Sequence, residues 1–424
     1  MVPEEKVEAV LREIDEQELV QLAAQLVRIN SVWDPEAKTS EQEVAEFVAA
    51  WARRVGFETS VEEVAPGRPN VILAFGPESG SRKLMFEAHT DVVTPGDPSM
   101  WTHHPFGAEM VDGRLYGRGA NDTKGNLAAM LVAMAALKRS GLRMKGRLVA
   151  GVLCDEEGLM LGVQDFIRRG HADDITAAII CEPQDGFICN VQKGALRARF
   201  LAKGRMSHGA MPLAGLNPVP TLVWLIKGLW EMERGAMERF GKDPLLGWPS
   251  FTPTVVRAPA KGPAQLNVVP STVELLVDIR TISQQSHQEI VEDLRALGQK
   301  ARRLSLDYYS ELDGFAGIQR DLGLEVDLEI LSDRPCTYTS PDDPVVRAVH
   351  WATSLLTGQQ PRYAGVPGAT DGTFLWAWKG IPIVTIGAGD REVPHQVDEW
   401  VDLGQLALTA KIYALSALAY LEEG

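Results

Sequence analysis

GRGANDTKG, residues 117–125, lies between a segment ending in His89-Thr90-Asp91 and one ending in Asp155-Glu156-Glu157-Gly158. The flanking segments are short apolar runs of the kind that form strands, so three clusters of cation-type ligands fall at successive strand ends. Open α/β sheets bind ligands outside the carboxyl ends of their strands. Carboxylates and a histidine gathered there read as one site, with the composition of a two-metal hydrolase centre.

Outward from that stretch, helix and strand signals alternate to about residue 190. Residues 16–29 and 41–55 carry apolar residues at helical spacing, and Asn70–Phe75 and Lys83–Ala88 are short apolar strands. The pattern predicts a long helix over Lys124–Ser140 and buried strands over Arg147–Cys154 and Ala177–Cys181. From about 195 the pattern changes. Leu196–Lys203, Thr254–Pro259, Thr272–Thr281 and Leu324–Leu331 read as strands, and Pro218–Met232 and Ser286–Arg303 as helices. That order is β-α-β-β-α-β, the ferredoxin-like unit. After Pro335 an α/β pattern returns, with a helix at 343–356, a strand at Ile381–Ile386 and a last helix at 403–421. The expected architecture is an α/β catalytic domain, 1–194 and 334–424, split by an inserted α+β module, 195–333.

At 424 residues the chain exceeds the usual size of a single core, in keeping with two domains. A formal charge of −15 disfavours nucleic acid and anionic membranes, both of which need a basic face. Small molecules or peptides are the better partners. The acidic, amphipathic start has no signal-peptide pattern and no apolar run reaches membrane length, so a soluble cytoplasmic protein is expected. Cys154, Cys181, Cys189 and Cys336 show no CxxC pairing and read as buried thiols rather than a disulfide framework. The tryptophans at 224 and 230 and at 376 and 378 have the spacing of core packing.

His89 and Asp91 are two apart on a strand end, so they share a face and the carboxylate can orient the ring of a metal-bound histidine. Taken alone the pair is a weak signal. Asp122 lies in a glycine-dense turn entering a helix, where a carboxylate can bridge two ions; its plainer role is a helix N-cap. The adjacent carboxylates Glu156 and Glu157 repel at the end of a buried run and need a cation to hold them. One can ligate while the other acts as general base. Glu182 is a further strand-end carboxylate, and His395 follows a proline late in the chain.

The ordered combination of MFEAHTDVV (85–93), the W..HPF run at 101–106, GRGANDTKGN (117–126), DEEG (155–158), EPQ (182–184) and HQVDE (395–399) resembles the acetylornithine deacetylase / succinyl-diaminopimelate desuccinylase / carboxypeptidase G family of di-zinc metallohydrolases. The inserted module matches too: GRMSHGAMPLAGLNPV (204–219) and QLNVVPSTVELLVDIRT (265–281) resemble that family's lid, or dimerisation, domain. The resemblance implies that Asp122 bridges two zinc ions, with Co²⁺ or Mn²⁺ as possible substitutes. His89 and Glu182 would complete one position, Glu157 and His395 the other. Glu156 would be the general base and later the proton donor, and Asp91 would orient His89. His208 would reach the partner subunit's active site in a homodimer and help stabilise the tetrahedral oxyanion. Asn267 and Arg280 match substrate-contacting positions, and Gly368 lies in a substrate-side loop. Each has a structural alternative: Asn267 shaping a turn, Arg280 pairing with Asp278.

Two departures bear on substrate. Gln192-Lys193 stand where the desuccinylase branch usually has two arginines, and Thr373 ends a loop sequence that usually closes on arginine. Both disfavour a second dicarboxylate end. Deacylation of an N-acyl amino acid is the first expectation, and a dipeptidase or carboxypeptidase on the same di-zinc site the second. The alternative of a different class is a noncatalytic zinc-bound protein that kept the fold.

Overall fold

The computed structural model describes residues 2–319 and 322–422. The chain divides into two units, Met1–Gln192 with Thr337–Val366 and Thr370–Gly424, and Lys193–Cys336 with Pro367–Ala369. Among the described residues no helix is long and apolar enough to cross a membrane.

The first unit is built on a nine-stranded mixed sheet. Its centre is the strand Lys83–His89, paired in parallel with Arg147–Leu153 on one side and Ala177–Ile180 on the other. Because the three are parallel and adjacent, the residues that follow them emerge along one sheet edge. Arg68–Phe75 and Glu58–Ala65 extend the sheet antiparallel beyond Arg147–Leu153. Ile383–Thr385 and Ile188–Gln192 extend it on the other side.

The helix Lys124–Arg139 is buried from Lys124 through Leu137, which is why its Ala/Met/Leu-rich sequence shows so little amphipathicity. It packs against the helices Glu16–Arg28 and Leu403–Glu422 over the sheet. Gln42–Val55 ends at Gly56, whose φ of 91° supplies the left-handed turn that closes the helix.

The second unit is a four-stranded antiparallel sheet in the spatial order Ser250–Arg257, Thr272–Thr281, Gly194–Lys203, Glu325–Arg334. Numbered along the chain that order is 2-3-1-4, the ferredoxin-like arrangement. Alternating inward residues such as Leu196, Ala198 and Phe200 meet Leu225, Leu229, Leu294 and Leu297 of two covering helices. Those helices, Thr221–Phe240 and His287–Ala316, run well past their sequence-predicted ends at 232 and 303. In the longer one the inward stripe passes to Ser305, Tyr309 and Asp313, which apolar periodicity does not register.

Other sequence expectations need correction. The strand expected at Thr254–Pro259 is Ser250–Arg257, because its register against Thr272–Thr281 begins at Ser250. A third helix, Glu4–Arg12, and the polar edge strand Glu58–Ala65 precede the two expected strands. Trp224 and Trp376 do pack against cores. Trp230 is 58% exposed, and Trp378, 46% exposed, packs against the buried Phe374 ring. The thiols of Cys154, Cys181 and Cys189 are buried and free, and Cys336 is partly buried.

Candidate metal centre

His89 closes the central strand, Glu156 and Glu157 follow the strand Arg147–Leu153, and Glu182 follows Ala177–Ile180. Asp122 comes to the same edge in the turn before the helix Lys124–Arg139, and His395 in the loop before the strand Trp400–Asp402. His89 Nε2 lies 3.1 Å from Asp122 Oδ1 and 3.4 Å from Glu182 Oε1. His395 Nε2 lies 2.8 Å from Glu157 Oε1 and 3.4 Å from Asp122 Oδ2. The two oxygens of Asp122 therefore face two different triads, His89/Asp122/Glu182 and Asp122/Glu157/His395. Glu182 Oε1 is buried and takes no hydrogen bond, an orphaned acceptor that a cation would satisfy.

Burial lifts the Glu182, Glu156 and Glu157 carboxyls above their ordinary range, the last further raised by Asp122. Burial also works to raise Asp122, but hydrogen bonds from His395 and His89 outweigh it and hold its carboxyl low. Burial disfavours His89's charged form, yet Glu182, Asp122 and Asp91 together raise its pKa. Hydrogen bonds to Asp122 and Glu157 push His395 up to about 10.

His395 must lose that proton before Nε2 can hold a cation. Calorimetric titration of the metal-free protein with Zn²⁺ at pH 7–8, in buffers of different ionisation enthalpy, should therefore show proton release and an affinity that rises with pH. In the metal-free protein the raised pKa adds stability that is complete below 6.5 and is lost as pH climbs through about 10. A proton count near zero would mean that His395 is neutral or is not a ligand.

Asp91 meets His89 through both its main chain and its side chain. His89 Nδ1 meets the main-chain carbonyl of Asp91 at 2.9 Å, whereas the nearer carboxylate oxygen is 3.6 Å away. A carbonyl only accepts, so Nδ1 carries the proton and Nε2 is the nitrogen presented to Asp122 and Glu182. The Asp91 carboxylate also accepts the backbone N–H groups of Glu156 and Glu157, each at 3.0 Å. The carboxylate thus stands between the His89 ring and the backbone of the glutamate pair.

In the second unit, His208 and Asn267 are exposed and adjacent, because Ser207–His208 pairs with Val268–Val269. Asn267's main-chain carbonyl accepts the Gly209 N–H at 2.7 Å, and His208 Nδ1 accepts the Ala210 N–H at 3.0 Å. Arg280 donates from Nε to Asp278 at 2.6 Å and from Nη2 at 3.2 Å, the structural pairing that its sequence position had left open. Its Nη1 is turned toward Gly368, 3.9 Å from where a Cβ on that glycine would stand.

Sequence reasoning missed three supports. Glu399 accepts three N–H groups of the Asp122 turn; the string HQVDE carried this residue but gave no hint of its partners. Arg68 bridges Glu41 and Asp155 in a buried network. Glu87, two residues before His89, is buried beside Asp371, which with burial raises its pKa. Gly389, at φ 104°, admits Asn121 so closely that a Cβ would come within 1.9 Å of Asn121 Oδ1.

Two histidines and two glutamates converging on a shared aspartate, with a further glutamate alongside, make the donor set of a metal-dependent hydrolase. The chain belongs to peptidase family M20/M25/M40, whose profile matches residues 85–419. It acts hydrolytically on amide or peptide bonds, as members of that metal-dependent family do. A succinyl-diaminopimelate desuccinylase of Methylorubrum extorquens is 31% identical, over 94% of this chain and 98% of the relative. An M20 family metallo-carboxypeptidase of Sulfolobus solfataricus has the same fold at a TM-score of 0.75 and 18% identity, covering 96% of this chain and 99% of that one. A dinuclear metal-binding M20 peptidase of Bacillus subtilis superposes at 0.66 with 18% identity, covering 96% and 98%.

Proposed function

We propose that this protein is an N-acyl-amino-acid deacylase using two zinc ions. The observation that carries this reading is the division of Asp122, one oxygen toward His89 and the other toward His395. His89, Asp122 and Glu182 would hold one ion, and Asp122, Glu157 and His395 the other. Imidazole and carboxylate donors suit zinc, with Co²⁺ or Mn²⁺ as substitutes. Bound there, the ions supply Lewis acidity to the amide carbonyl and lower the pKa of the attacking water.

Glu156 is the proton carrier. It belongs to neither triad, and burial favours the protonated form of its carboxyl, so it is suited to take up a proton and pass it to the departing amine. Asp91 holds the Glu156 main chain where the carboxyl can do this. His208, from the partner subunit of a homodimer formed through the inserted domain, meets charge on the tetrahedral oxygen. Asn267, Arg280 and Gly368 are the proposed substrate contacts. The acidic charge and free thiols favour a cytoplasmic setting.

The acyl group is small and lacks a second carboxylate. Gln192 is committed to Thr370 and Thr385, and Lys193 donates to the Trp248 carbonyl at 2.7 Å. Thr373 is fully buried in the helix Gly372–Lys379, so that position presents no cation to a ligand. The curated relative's name, a desuccinylase, supports an N-acyl amide over a peptide.

Amine release from N-acetyl, N-succinyl and dipeptide amides, with metal-free enzyme reloaded with zinc, tests the reading. The N-acetyl amino acids should be turned over fastest, by at least about tenfold. A dipeptide in first place would make the chain a peptidase, and a succinyl substrate in first place would overturn the argument from Gln192, Lys193 and Thr373.

A further inference from the structure

Glu399 is fully buried just before the strand Trp400–Asp402 and belongs to neither triad. Its Oε1 accepts the backbone N–H groups of Gly119, Asn121 and Asp122, all at 3.0 Å. Its own carbonyl accepts the Gly117 N–H at 2.8 Å. A turn too irregular to satisfy its own amides is thus organised by one carboxylate. Oε2 pairs with the buried guanidinium of Arg118. From Nη2 that guanidinium also donates to the carbonyls of His395 at 3.3 Å and Thr94 at 3.4 Å. The same pair therefore grips the Asp122 turn on one side and the His395 loop on the other.

The two triads differ in what else holds them. His89 and Glu182 sit at the ends of paired strands and are buried. His395 lies outside any strand or helix, at φ 67°, with its side chain 51% exposed. We propose that Glu399 and Arg118 are a positioning pair that holds Asp122 Oδ2 against His395 and Glu157, and so sets the affinity of that cation position in preference to the one at His89 and Glu182. This rests on the two-cation reading above.

The test is a Co²⁺ titration of the metal-free protein, read by visible absorbance and chelator competition. It compares wild type, Glu399→Gln, Arg118→Met and the double variant, with thermal unfolding of each metal-free form. Wild type should take two ions. In every variant the first should bind within about threefold of wild type and the second at least about tenfold more weakly, the range seen when groups supporting a ligand are removed. Glutamine keeps an acceptor for the three N–H groups, and the double variant removes both buried charges. The double variant should therefore unfold nearer to wild type than either single one and still bind the second ion weakly. If a single variant does not fold, the double variant carries the comparison. Recovery of the second ion in the double variant, equal weakening at both positions, or no change would each overturn the proposal. A wild type holding fewer than two ions would overturn the two-cation reading as well.

Discussion

Glu156→Gln should lose turnover by about 10²–10⁴-fold, the worth of a positioned proton carrier, while its zinc content stays at the wild-type value. The substitution keeps size and shape, and Glu156 is in neither triad. The bond from its backbone N–H to Asp91 Oδ1 is untouched, so the local chain is preserved. A second effect runs in the opposite sense. Burial, reinforced by Glu157 and Asp371, raises the Glu156 pKa above 4.5, so ionising it costs the folded state stability at any pH above that value. The metal-free variant should consequently melt higher than metal-free wild type at neutral pH, with the difference vanishing below about pH 4. Steady-state kinetics, metal analysis and calorimetry measure the three quantities. Activity within a few-fold of wild type would remove Glu156 from the proton-carrying role, and a loss of zinc would make it a ligand instead.

Arg68→Met should destabilise the protein by about 3–5 kcal/mol, the cost of leaving buried charges without their partner. Arg68 is only 6% exposed. It reaches Glu41 with Nε at 2.8 and 3.0 Å and Asp155 with Nη1 at 2.6 Å, and its guanidinium lies over the Trp33 ring at 4.7 Å. Glu41 is fully buried, and even with Arg68 present burial holds its pKa above the ordinary value. Asp155 is a non-glycine residue at φ 66°, and its Oδ2 accepts the N–H groups of Leu159 and Leu161 at 3.1 and 3.2 Å. Methionine would keep the stem's packing but abandon both carboxylates. Glu41→Leu with Arg68→Met should be less destabilised than Arg68→Met alone, because one of the two stranded charges is gone. Urea unfolding of the metal-free proteins gives the comparison. A loss below about 1 kcal/mol for Arg68→Met would place this network among ion pairs of surface strength. Since Asp155 immediately precedes Glu156, turnover should fall in Arg68→Met even at temperatures where it remains folded.

The local chemistry of the first unit was legible in the amino-acid order. Apolar runs ending in His89, Cys154 and Cys181 announce strands, and polar residues directly after such runs have little choice but to gather at one sheet edge. The β-α-β-β-α-β rhythm of the inserted unit was equally open, since burial on one face imposes period 2 or 3.6 on each element. The elements that escaped were those whose apolar signal is weak: Glu58–Ala65, held mainly by its pairing with Arg68–Phe75, and the last turns of His287–Ala316, where Ser305 and Asp313 occupy inward positions.

Only the tertiary structure decided the supports of the site. The Asp91 carboxylate, 3.6 Å from His89 Nδ1, also accepts backbone N–H groups 65 and 66 residues distant, which its place two residues from His89 does not announce. Arg68 finds Glu41 across 27 positions, and Arg118 finds Glu399 across 281. A residue's type and its neighbours determine what it can bond and which face it takes, and these were present in the sequence from the start. Which of many equally competent carboxylates meets a given guanidinium depends on how strands and loops stack in space. No local period carries that information, because the free energy selecting the partner comes from burying the pair together.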